Sequence, residues 1–116
     1  MSISLTEILR HIFDEINFII TETKNLTFES FIQSSVLTRA FIRSLEIIGE
    51  AVKKISIELR EKYKDIQWKQ IAGLRDKLIH DYFGVDYDLV WNVLIEKIPE
   101  LKIKLELLIK NENIIF

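Results

Sequence analysis

Apolar residues recur along this chain at steps of three and four, the spacing of one face of a helix. The first stripe is Leu5, Ile8, Leu9, Ile12, Phe13, Ile16, Ile19 and Ile20, and it predicts a helix from about Ser4 to Thr23. Lys24 to Thr27 reads as a connector. A second stripe, Leu37, Phe41, Leu45, Ile48, Val52, Ile55 and Leu59, predicts one helix from Glu29 or Gln33 to about Lys62. Such a helix exceeds the common length of roughly 8–20 residues; it would bend near Gly49 or run on as the spine of a bundle. After a connector over Tyr63 to Gln67, a shorter helix is expected from Trp68 to Tyr82, with Gly84 as its stop. The last helix begins near Asp86 or Asp88, both good capping types, and follows Tyr87, Val90, Trp91, Leu94, Ile98, Leu101, Leu105 and Leu108 to about Lys110. Pro99 lies inside it and predicts a kink or a break there. The sum is an all-α, up-and-down bundle of four to five helices with short loops, in one domain over residues 1–116.

Composition agrees with this pattern. Three glycines and one proline leave few turn signals, which favours long helices over short strands. Hydrophobic residues at 48% and charged residues at 29% fit a soluble chain with a real core. The formal net charge of −2 gives no basic excess, so any contact with nucleic acid must come from a local patch. Cysteine is absent, which excludes a disulfide framework and a thiolate metal site and fits a cytoplasmic protein. The first residues lack the basic and apolar regions of a signal peptide. No apolar run approaches membrane-spanning length, so no membrane partner is expected.

The third helix carries the one anomaly. On a wheel of about 100° per residue, Trp68, Ile71, Ala72, Leu78, Ile79 and Tyr82 cluster on one side. Arg75 falls in the middle of that cluster, with His80 and Asp76 at its margin. A guanidinium cannot shed its proton, and burying it unpaired costs several kcal/mol. Arg75 must therefore meet a carboxylate, line a cleft or snorkel to water. On the second helix Arg39, Arg43, Glu46 and Glu50 form a polar ridge at steps of four, three and four. Either that ridge is a solvated face, or it faces the Arg75 helix and Glu46 or Glu50 holds Arg75. Taken singly, His80 is an ordinary helical histidine, Tyr82 a core-edge aromatic and His11 a surface residue.

Other chemistries are missing. The scattered glycines form neither a P-loop nor a dinucleotide fingerprint. Two distant histidines without cysteine speak against a zinc site, and no cofactor is implied.

Residues 66–84 read I-Q-W-K-Q-I-A-G-L-R-D-K-L-I-H-D-Y-F-G, which resembles the signature of the HepT-like family within the HEPN superfamily. Ser44 to Ala51, S-L-E-I-I-G-E-A, is similar to the second-helix motif of that family, and V-D-Y-D-L-V-W to the start of its last helix. The resemblance runs from about Ile3 to Ile109. The family pattern R-x4-H-x-Y is complete as Arg75, His80 and Tyr82. Many members carry asparagine after the arginine; here Asp76 adds a negative charge.

The resemblance implies a homodimer in which two R-x4-H helices form a shared cleft, with Arg75 and His80 as catalytic residues. It further implies a metal-independent endoribonuclease acting as the toxin of a toxin–antitoxin pair. The antitoxin would be a minimal nucleotidyltransferase that transfers AMP to Tyr82. Asp76, Glu46, Glu50 and Arg43 would support the site. Imidazole and guanidinium suit RNA cleavage, because the 2′-hydroxyl is a built-in nucleophile. Tyr82 would stand about two turns from Arg75 on nearly the same face, since seven residues span about 700°. Two alternatives stay open. One is a non-catalytic nucleotide-binding module or partner subunit of a nucleotidyltransferase; the other is an inert helical dimer in which Arg75 is merely salt-bridged.

Overall fold

A computed structural model describes residues 3–80 and 84–116, with the backbone alone at Ile79 and His80. Helix α1, Leu5–Thr23, starts where Ser4 accepts the Glu7 N–H through its hydroxyl. It buries Ile8, Leu9, Ile12, Phe13, Ile16 and Ile19, the predicted stripe, while Leu5 and Ile20 flank it half-buried.

The expected long second helix is three helices: α2 (Phe28–Gln33), α3 (Ser35–Val52) and α4 (Ile57–Lys62). Serines make the breaks. The Ser34 side chain accepts the Leu37 N–H and the Ser56 side chain the Leu59 N–H, so each starts a new helix. Gly49 is not a bend; it lies within α3 and is buried. The apolar spacing runs through both breaks because Phe41, Leu45, Ile48, Val52, Ile55 and Leu59 all still reach the core. Helix α2 begins with a Thr27–Ser30 capping box. It inserts Phe31, fully buried, among the rings of Phe28, Phe41, Tyr87 and Trp91.

The expected third helix is also divided. Helix α5 (Trp68–Ala72) ends at Gly73, and α6 (Leu74–Leu78) follows. The buried Trp68 indole donates to the carbonyls of Arg60 and Tyr63, fastening α5 to the end of α4. Helix α6 stops at Leu78 because the Asp86 N–H, at 2.9 Å, takes the Leu78 carbonyl that a longer helix would have used internally. Two short strands, β1 (Ile79–His80) and β2 (Gly84–Val85), then pair antiparallel.

Asp86 caps the last pass, accepting the Leu89 N–H at 3.1 Å. Helix α7 (Tyr87–Asn92) leads through a π-helical stretch, Val93–Lys97, into α8 (Ile98–Asn111). The expected disruption at Pro99 takes this form. Proline has no N–H to donate backwards, and the turn ahead of it widens so that the Ile98 N–H reaches the Val93 carbonyl. Helix α1 packs between α3 and α8, with α5 and α6 against the other side of α3. No helix among the described residues is long and apolar enough to cross a membrane.

Candidate active site

The site lies where α3 meets α5 and α6, and a glycine sets how closely they approach. A Cβ on Gly49 would stand 3.1 Å from the Ile71 carbonyl oxygen and 3.4 Å from that of Ala72. Only a residue without a side chain lets the α5 backbone lie there. One turn earlier on α3 is Glu46, and three residues beyond Ala72 is Arg75. The same antiparallel approach therefore brings this pair together, and the Arg75 Nε–H donates to Glu46 Oε2 at 2.9 Å.

Arg75 is not embedded in an apolar stripe. Its side chain is 58% exposed, against 26% for Glu46. The wheel that centred it assumed one continuous helix from Trp68 to Tyr82. The break at Gly73 changes the chain's direction, so of α6 only Leu78 is buried. The ion pair occupies the Nε edge of the guanidinium. Its terminal amino groups have no hydrogen-bond partner among the described residues. A planar group held at one edge and open at the other suits bidentate binding of a phosphate.

The other predicted residues are placed unequally. The His80 backbone stands in β1, paired with Gly84, so the R-x4-H segment spans a helix end and a strand rather than one helix. The His80 side chain and all of Tyr82 lie outside the described residues, and so does the proposed spacing of Tyr82 from Arg75. Asp76 is exposed on α6 beside Arg75. Glu50 does not reach Arg75; it pairs with Lys53 at 3.2 Å at the exposed end of α3. Arg43 lies on the opposite flank of the ridge, lining a groove between α1 and α3 with His11 and Ile47. Of the four ridge residues only Glu46 faces α6.

Two features went unread in the sequence as parts of this site. Gly49 was read for flexibility, although its place inside an unbroken apolar period pointed to close packing. Asp86 was read only as a cap, although it also closes the ladder that carries His80.

The geometry describes an all-α bundle with an edge-anchored arginine next to a short ladder bearing a histidine. The family described as "Ribonuclease HepT-like" matches residues 5–108, and the chain belongs to it. Relatives cover nearly the whole chain. A protein of Caldanaerobacter subterraneus subsp. tengcongensis, described as a "putative RNase", is 51% identical over 105 residues, which is 90% of this chain and 94% of that one. A Methanocaldococcus jannaschii protein described in the same words is 50% identical over 107 residues, 92% of this chain and 85% of its own. A "probable ribonuclease HepT" of Thermococcus cleftensis is 42% identical over 110 residues, 95% of this chain and 100% of its own. No solved structure gives a significant match.

Proposed function

We propose that this protein cleaves RNA as the toxin of a toxin–antitoxin pair in the cytoplasm, working as a homodimer without a metal. The supporting observation is the Arg75 guanidinium, anchored at Nε by Glu46 and otherwise open, at the end of a helix that leads directly into the strand carrying His80. Membership of a ribonuclease family supports RNA as the substrate class.

In this reading His80 takes the proton of the RNA 2′-hydroxyl as the 2′-oxygen attacks phosphorus. The bond to the 5′-oxygen breaks, that oxygen leaves with a proton from a second imidazole, and a 2′,3′-cyclic phosphate remains. Arg75 binds the non-bridging oxygens and stabilises the charge that grows on them. Two copies of the chain supply the two imidazoles, and two guanidinium groups offset the acidic net charge of −2.

Control falls on Tyr82. A minimal nucleotidyltransferase partner transfers AMP to its hydroxyl, and the added phosphate competes with RNA for Arg75. Two experiments separate the parts. Expression of the wild-type chain arrests growth and expression of His80→Ala does not; arrest by both removes the nuclease reading. Labelled AMP is transferred by the partner enzyme to wild type and not to Tyr82→Phe; equal labelling of both removes Tyr82 as the acceptor.

A further inference from the structure

The β1–β2 ladder pairs Ile79 with Val85 and His80 with Gly84. The Asp86 N–H donates to the Leu78 carbonyl at 2.9 Å, which extends the ladder by one more pair, Leu78 with Asp86. Residues directly opposed in an antiparallel ladder share a face, as do residues two apart on one strand. His80 and Asp86 therefore occupy one face as diagonal neighbours, a relation that separates such positions by about 7–8 Å, within reach of their side chains. Gly84, opposite His80, brings no side chain between them, and no atom lies within 4 Å of where its Cβ would stand.

The Asp86 carboxylate is fixed in place, since Oδ1 accepts the Leu89 N–H at the start of α7. A carboxylate accepts several hydrogen bonds at once. Capping α7 and accepting from an imidazole are therefore compatible roles.

We infer that Asp86 is a positioning residue for His80. Its carboxylate accepts a hydrogen bond from one imidazole nitrogen and so fixes the tautomer and orientation that present the other nitrogen to RNA. The inference rests on the reading of His80 as the proton-transfer group. It gives the V-D-Y segment a second duty beside starting α7.

Asp86→Asn and Asp86→Ser test it, because asparagine and serine are both good N-caps and keep α7 started. Three quantities are measured: the unfolding midpoint, kcat and KM on RNA, and the NMR titration of the His80 imidazole. Both variants are expected to unfold near wild type and to lose about tenfold or more in kcat with little change in KM. The His80 titration moves to lower pH, because removing a neighbouring carboxylate disfavours imidazolium, while that of the exposed His11 stays in place. Wild-type kcat in either variant overturns the inference. His80→Ala, assayed alongside, distinguishes the two levels. An inactive His80→Ala with fully active Asp86 variants removes the positioning role alone; wild-type cleavage by His80→Ala removes the ribonuclease reading and the inference with it.

Discussion

Arg75 on α6 and Glu46 on α3 meet at 2.9 Å through the Nε edge of the guanidinium. The pair is half in water, so its effect on stability is small, on the order of 1 kcal/mol or less. Its effect on aim is larger. Glu46→Gln is expected to leave the urea midpoint almost unchanged while lowering RNA cleavage by about 10–100-fold, since misplacing a charge-stabilising group costs rate steeply. An equal fall in stability and activity would mean that Glu46 acts only on the fold.

Gly49 sets the distance that this pair depends on. Gly49→Ala gains about 1 kcal/mol of helix propensity. The new methyl meets backbone carbonyl oxygens at 3.1 and 3.4 Å, which cannot rotate away as a side chain would. Overpacking of this kind costs about 1–3 kcal/mol, so the net expectation is a loss of about 1 kcal/mol in denaturant unfolding. Cleavage should fall further than that loss explains, because α5 and α6 move off α3 together. A variant more stable than wild type would show that the contact is slack.

These two residues also show what the sequence could and could not reveal. The starts of α1 and α7 were legible because Ser4 and Asp86 are capping types placed just ahead of clear apolar periods. The breaks at Ser34 and Ser56 were hidden, because the apolar spacing continues across them into the same core. For the site, the spacing of Arg39, Arg43, Glu46 and Glu50 marked one ridge, and nothing local distinguishes one glutamate from the other. The choice of Glu46 is made by the approach of α5 over Gly49, a tertiary fact. The wheel misplaced Arg75 for a related reason: it carried one phase through Gly73, where the chain turns.

Helix α6 is thinly held, with Leu78 as its one buried residue. On its far side a groove of about 200 Å³ opens between Leu74 and Lys77 on α6 and Val93 and Lys97 in the π-helical stretch. Segments with few buried contacts open at low free-energy cost. Amide hydrogen exchange over Leu74–Leu78 is expected to be at least about 100-fold faster than at Ile12–Ile16 of α1. Added RNA should slow it. Protection of α6 equal to that of α1 would contradict this account of its packing.

The C-terminal end of α8 is fastened to α4 by Glu112, which accepts from Lys62 Nζ at 2.8 Å and from the Tyr63 hydroxyl at 2.7 Å. The hydrogen bond from Lys62, then that from Tyr63, holds the Glu112 carboxyl below its ordinary value of 4.5. A carboxyl depressed in the folded state adds stability that is present above its unfolded pKa and fades as pH falls through the folded one. Wild type should therefore unfold at higher urea than Glu112→Gln at neutral pH. The gap should close as pH drops below 4.5. A gap independent of pH would assign the loss to packing instead.

The account turns on His80 and Arg75 acting together on RNA. The most direct measurement is cleavage of RNA by the purified protein in EDTA, comparing wild type with His80→Ala and Arg75→Ala. The expected result is cleavage by wild type, leaving cyclic phosphate ends, and a loss of about 100-fold or more in each variant. Equal residual cleavage by all three proteins would contradict it.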